Sequence, residues 1–455
     1  MQQAIPMKQK ASTLRKIVGP ILITQLALFL MTFFDVLMTG RYGQIDLAGV
    51  AIGSALWTPV FTGFAGILTG LTPIIAHYIG GKKHDAVRPS VQQGLYVSLA
   101  LSVIVAIFIF LLVPSILNNM SLDAAVRPIA FHYLVGMAVG LLPLFAYSTL
   151  RAFFDALGAT RVSMFIVLLS APINIILNYA LIYGKFGLPE LGGIGAGYAS
   201  GITYWIVFAV AFFIAKLRKP FERYMLFHAW ARPQIKEAMH LLRIGVPIGL
   251  AIFIETSIFA AITLLMSHTY STSIISSHQV AMNFTSLLYM IPLSISMGAT
   301  IVVGQSVGAK QFIDAKQYSF LSIGFALFFS ILSMTVIFLF REPIAALYSN
   351  EPEIIALAAK FLIFGAFFQW SDAFLAPIQG ALRGYKDVNS TFITAIISFW
   401  VIGLPVGYAL ATWTDLGPYG YWIGLIIGLN LGAIALLIRL LSIQKRIKKG
   451  AFTRV

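Results

Sequence analysis

Apolar residues along the chain gather into twelve long runs, at about 17–38, 48–75, 91–113, 128–150, 162–183, 194–215, 244–267, 276–303, 317–340, 354–378, 392–413 and 420–443. Each run exceeds about seventeen residues and none alternates apolar with polar positions. The pattern therefore predicts helices able to cross roughly 30 Å of hydrocarbon, not barrel strands. The polar gaps are short with one exception, 216–243, where K-L-R-K-P-F-E-R is followed by A-R-P-Q-I-K-E-A-M-H. That gap parts six runs from six, and its second half has the spacing of a short helix lying on the membrane surface. The expected organisation is an N-lobe at 1–215 holding helices 1–6, a cytoplasmic linker loop at 216–243, and a C-lobe at 244–455 holding helices 7–12.

The halves repeat one another. L-R-K-I-V-G-P at Leu14 to Pro20 returns as L-L-R-I-G-V-P at Leu241 to Pro247, and I-G-G-K-K-H-D-A at Ile79 to Ala86 returns as V-G-A-K-Q-F-I-D-A at Val307 to Ala315. L-R-A-F-F-D at Leu150 to Asp155 and L-R-G-Y-K-D at Leu382 to Asp387 keep the same spacing of Arg to Asp. An offset that spans an even number of helices leaves both repeats in the same orientation, related by an axis along the membrane normal. The predicted fold class is all-α integral membrane, with twelve transmembrane helices as two parallel six-helix repeats. Pro20, Pro59, Pro143, Pro172, Pro247, Pro292 and Pro405 interrupt these helices, as packing kinks or as hinges. Pro20 is the candidate hinge because it shares the first helix with Asp35.

Composition agrees with this class: 59% of the 455 residues are hydrophobic and 10% charged. The net charge of +15 matters through its distribution. Among the odd-numbered loops only Arg41, Arg127, Lys185, Arg341 and Lys360 are basic; every other Lys and Arg lies in the N-terminal segment, the even-numbered loops or the C-terminal end. The positive-inside rule then puts both termini in the cytoplasm of a multi-pass protein of the inner (plasma) membrane. The charge is a topology signal, and no nucleic-acid partner is expected. The N-terminal segment lacks a small-residue cleavage site, so the first helix is expected to serve as its own insertion signal.

Of sixteen acids, three lie inside the runs: Asp35, Glu255 and Asp372. A charged residue at mid-helix costs about 2.5–3.5 kcal/mol to insert, so each needs a partner or a function. Arg and Lys are expected at shallower depth, which leaves protons, a metal cation or a cationic substrate as counter-charges. Asn174 and Asn178 stand at i and i+4 on one helical face, and Gln279, Asn283 and Tyr289 occupy the eighth helix. Such amides can serve as interhelical glue, or as oxygen ligands around a carboxylate for a hard cation such as sodium. Gln279 and Asn283 are candidate cavity-lining residues.

Other chemistry is poorly served. There is no cysteine, no His pair with metal spacing and no Walker A sequence, so neither a resident cofactor nor direct use of ATP is expected. Ser, His and acidic residues are too dispersed to nominate a triad, and an enzyme is not expected. Thirty-six Phe and fourteen Met suit an adaptable apolar cavity.

The six-helix repeats, the paired G-P and G-V-P helix starts, G-Q-S-V-G-A-K at Gly304 to Lys310, S-H-Q-V-A-M-N at Ser277 to Asn283 and L-R-G-Y-K-D at Leu382 to Asp387 resemble the multidrug and toxic compound extrusion (MATE) family. Retention of all three membrane acids makes the chain most similar to its NorM branch. The resemblance implies a V-shaped bilobed fold and a secondary active multidrug efflux antiporter. Such a protein exports small cationic or amphiphilic drugs in exchange for H+ or Na+ by alternating access, as a monomer in the lipid bilayer. It also implies that Asp35, Asn174 and Asn178 form an N-lobe ion or proton site. Glu255, Asp372 and Tyr289 would form a C-lobe cation site, with Na+ held at Glu255 and Asp372. One departure stands out: many NorM members carry Tyr one turn before the second-lobe Asp, where this chain has Phe368. A lipid-linked saccharide flippase of related architecture is the alternative, and it would favour several cavity-lining bases to meet pyrophosphate.

Overall fold

A computed structural model describes residues 4–450, and every regular element in them is helical. The first six apolar runs become α1 (Met7–Tyr42), α2 (Gln44–Leu68) with α3 (Leu71–Gly80), α4 (Val87–Leu111) with α5 (Val113–Asn119), α6 (Val126–Val139) with α7 (Leu141–Ala156), α8 (Thr160–Tyr183) and α9 (Gly193–Leu217). The last six become α10 (Ile235–Thr269), α11 (Thr272–Gly308), α12 (Phe312–Tyr348), α13 (Pro352–Gly384), α14 (Val388–Ala395) joined through a π-helical stretch to α15 (Leu404–Trp413), and α16 (Tyr419–Lys448). Among the described residues eleven stretches are long and apolar enough to cross a membrane. The pair α6 and α7, bent by 49°, is a twelfth when taken as one span.

Helix breaks have local causes. The bend between α6 and α7 falls at Gly140, where a Cβ would come 2.7 Å from the Gly201 Cα and from the Tyr204 ring. Gly136 and Gly140 on α6 and its end meet Gly197 and Gly201 on α9, and a Cβ on Gly197 would lie 2.3 Å from the Tyr133 carbonyl oxygen. Two small-x-x-x-small faces thus let backbones approach closely, the packing that counts in a bilayer where burying apolar area against protein gains little over lipid. In α12 the break is at Phe340, three residues before Pro343, whose ring removes a hydrogen bond and crowds the preceding turn.

By packing, the chain divides into two units. The N-unit is Ile23–Gly249; the C-unit is the chain up to Leu22 together with the chain from Leu250 on. The divide falls inside α1 and α10, not at the 216–243 gap, and its two points lie one repeat offset apart along the chain. The physical cause is visible in each unit. In the N-unit, Gly245 and Gly249 on α10 press against the backbone of Ile67 and Gly63 on α2, and Gly70 lies against Gly245. In the C-unit, Leu14, Ile17 and Ile21 of α1 are buried in the core and Val18 fills the space that Gly298 of α11 leaves open. Lys10, fully buried, pairs with Asp314 at 2.5 Å and donates to Gln317.

The 216–243 segment corrects one expectation. No separate surface helix follows A-R-P-Q; Ile235 instead opens α10, because no breaker intervenes before the helix reaches the first apolar turns. The stretch ahead of it is sewn onto α4. Gln92 Nε2 donates to the carbonyls of Leu226 and His228, its Oε1 accepts from Ala231 N, Gln93 bridges Arg232 and Gln234, and Tyr96 donates to Ala231. This segment is therefore part of the N-unit's packing.

Candidate ion sites

In the N-unit, the carboxylate of Asp35 on α1 is met by α8. The i, i+4 spacing of Asn174 and Asn178 puts both amides on one face, and both are buried. Asn178 Nδ2 donates to Asp35 Oδ1 at 2.5 Å and to Asn174 Oδ1 at 3.2 Å. Asn174 Nδ2 donates onward to Thr203 Oγ1 at 3.4 Å, and Thr203 donates to the Ala199 carbonyl at 2.7 Å. One amide thus spends both its protons on two oxygens. Its own Oδ1 is buried with no donor among the described residues. The carboxylate sits among neutral groups, with Tyr133 and Tyr204 in electrostatic range. Thr203 is a site residue that sequence reasoning missed. Its only cue is a hydroxyl inside an apolar run, on a helix that Gly195 lets approach the Leu181 backbone of α8.

Pro20 lies inside α1, which continues through it, and Gly19 beside it has open space where a Cβ would stand.

In the C-unit, Gln379 Nε2 on α13 donates to Glu255 Oε1 on α10 at 2.8 Å. Tyr289 on α11 is in electrostatic range of Glu255, Asp372 and Arg383. The expectation that bases stay shallow fails here: Arg383, in the last turn of α13, interacts electrostatically with Glu255. A residue assigned to a loop end by hydropathy is drawn into the cluster because α13 stays helical to Gly384. Gln379 and Arg383 were both missed from sequence, although Asp372, Gln379 and Arg383 follow i, i+7, i+11 and share one helical face. Among the described residues no three His, Asp or Glu side chains gather as a metal-binding group. A sodium ion at Glu255 and Asp372 would therefore need neutral oxygens, for which the Gln379 amide and the Tyr289 hydroxyl are at hand.

Phe368 is buried against Phe259 and Trp422, with ring centroids 5.9 and 5.8 Å apart. A concavity of about 470 Å³ opens beside it, lined by Phe259, Ala260, Thr263, Leu264, Ser267, Gln279 and Met282. Gln279 donates to Thr263 Oγ1 at 3.1 Å. Asn283 is not part of this lining; its Oδ1 accepts from the Tyr348 hydroxyl at 2.8 Å, so of the two expected lining residues the structure brings Gln279 to the concavity.

The family model MatE matches residues 20–180 and 247–409, one copy in each half. The chain belongs to the MatE family. Its NorM-like character is equally plain. This MatE chain is 52% identical to a probable multidrug resistance protein NorM of Bacillus subtilis over 98% of both chains, and 51% identical to one of Oceanobacillus iheyensis over 98% of this chain and all of the relative. Among solved structures, the MatE chain matches the eukaryotic MATE transporter AtDTX14 with a TM-score of 0.86 at 21% identity, covering 98% and 99% of the two chains. An outward-facing MATE transporter of the MOP superfamily matches with 0.88 at 18%, covering 97% of both. At those identities the structural likeness establishes the fold, which is all-α, multi-pass and of MATE type.

Proposed function

We propose that this transporter is a secondary multidrug antiporter that exports small cationic and amphiphilic drugs in exchange for H+ or Na+ by alternating access. It would act as a monomer in the inner membrane, with both termini cytoplasmic. The observation that carries the reading is the lone carboxylate of Asp35 held at 2.5 Å by the Asn178 amide inside an apolar unit. A group so placed has two states, charged and hydrogen-bonded or neutralised by a cation, and exchange between them can drive a conformational cycle. Neutralisation removes the attraction for Asn178 and frees α1 to bend at Pro20, narrowing the N-lobe cavity and expelling drug. Relatives named for multidrug resistance support drugs as the cargo. Acids rather than several bases at depth disfavour the lipid-linked saccharide flippase.

The test is ethidium efflux from proteoliposomes under an imposed pH gradient or an imposed sodium gradient. Efflux driven by the pH gradient and abolished in Asp35→Asn is the expected result for proton coupling in the N-unit. Sodium-driven efflux abolished in Glu255→Gln would place the coupling in the C-unit. Normal coupled export by Asp35→Asn would refute the hinge mechanism.

A further inference from the structure

Arg383 is the residue of the C-unit cluster that neither the hydropathy pattern nor the proposed cycle uses. Its side chain is partly accessible, yet its Nε is buried and meets no acceptor among the described residues. The acid four residues on, Asp387, does not neutralise it: Asp387 is bound by Arg439 Nε at 2.7 Å and by the Ser390 hydroxyl. The groups that share its field are Glu255 from α10 and Tyr289 from α11. Asp372 stands on the same face of α13, and Gln379, one turn before Arg383, is hydrogen-bonded to Glu255. A guanidinium stays charged at any physiological pH, so its charge is a constant of the site.

We propose that Arg383 is a built-in counter-cation of this cluster and sets how many driving cations the cluster takes up. The inference rests on the reading of Glu255 and Asp372 as the C-unit cation site. With both carboxylates ionised and Arg383 present, the cluster carries one net negative charge, which a single proton or sodium ion balances. Removing the guanidinium leaves two. It also removes a repulsion that any entering cation must meet, and at the separations of a shared buried cluster that repulsion is worth about tenfold in affinity. Arg383 in this role is a positioning and specificity-determining residue: it holds the site weak enough to release its cation.

The experiment measures cation uptake by the purified full-length protein, with sodium and with protons as the probes, in an Asp35→Asn background so that the N-unit site is silent. Arg383→Gln is expected to take up two monovalent cations where the parent takes one, with a half-saturating concentration lower by about tenfold. Arg383→Lys, which keeps the charge, is expected to restore a stoichiometry of one; a role in packing alone would not move that number. Unchanged stoichiometry and affinity in Arg383→Gln, with uptake still abolished by Glu255→Gln, would overturn the inference and leave the cation site standing. Uptake indifferent to Glu255→Gln would overturn both. If Arg383→Gln does not purify as a folded protein, Arg439→Leu makes the same test, since it frees Asp387 to neutralise Arg383 and is expected to shift affinity in the same direction.

Discussion

The two units use the same sequence motif to opposite ends. In the N-unit, L-R-A-F-F-D closes on itself: Arg151 Nε reaches Asp155 Oδ2 at 3.4 Å within one helical turn, and Ser163 donates to Asp155 Oδ1 at 2.9 Å. The motif's base is thereby retained beside its own acid, and Asp35 is left with amides and hydroxyls for company. In the C-unit, L-R-G-Y-K-D is opened by an outsider, Arg439 of α16, which takes Asp387, while Arg383 lies in electrostatic range of Glu255. The equivalent helix of the N-unit, α9, has no base before Lys216 and cannot do the same. A single arginine on the last helix thus separates an uncompensated acid site from a partly compensated one. Charge balance, more than the acids themselves, distinguishes the lobes of this internal repeat.

That contrast puts the largest expected effect at Asp35. Its charge has no built-in counter-charge, so one proton or cation changes the site completely, whereas Glu255 is already partly balanced. Asp35→Asn is expected to lower ethidium efflux by at least about a hundredfold, to the level of empty liposomes, and Glu255→Gln by about tenfold, both measured as initial rates under a saturating pH gradient. The reverse order would mean that compensation by Arg383 is not what ranks the two sites.

Arg439→Leu tests the cause of the contrast by making the C-unit motif close as its N-unit counterpart does. Asp387 then pairs with Arg383 at i, i+4, and Glu255 loses part of its counter-charge. The half-saturating cation concentration of the C-unit site is expected to fall about threefold, less than in Arg383→Gln because the charge is moved and not deleted. The check is the same uptake measurement. A wild-type value would show that Arg383 faces Glu255 for reasons other than the loss of Asp387.

Much of this was legible along the chain. Twelve apolar runs, three acids within them and the i, i+4 asparagine pair are local facts with periodicities short enough to read directly, and α8 carries Asn174 and Asn178 to Asp35 as that spacing requires. What could not be read was partnership across long separations. Whether Arg383 pairs with Asp387 depends on Arg439, fifty-two residues on. Thr203 joins the Asp35 site because α9 packs against α8, where Gly195 lies so close that a Cβ would stand 2.6 Å from the Leu181 carbonyl oxygen. The exchange of helix starts between the units was hidden for the same reason: Gly245 and Gly249 look like ordinary small residues until the α2 backbone against them is seen. Hydropathy also assigned Arg383 by its neighbours in sequence, where the helix places it by its face.

The smallest expected effect concerns Phe368, the departure from the usual Tyr. Its ring is wedged between Phe259 and Trp422 at the edge of the C-unit cluster and is almost wholly buried, so a hydroxyl introduced there has to find a partner or remain unsatisfied at a cost of about 1–3 kcal/mol. One turn on, Asp372 offers that partner. If the hydroxyl reaches it, the cluster gains a neutral oxygen suited to a hard cation but to no advantage for a proton. Phe368→Tyr is then expected to lower the half-saturating sodium concentration by about threefold while leaving pH-driven efflux unchanged, a selectivity shift within the C-unit that has no counterpart at Asp35. A fall in melting temperature with no change in sodium affinity would instead show that the position serves the aromatic packing around Trp422. In that case the sodium or proton preference of this lobe is set by the balance among Glu255, Asp372 and Arg383 alone.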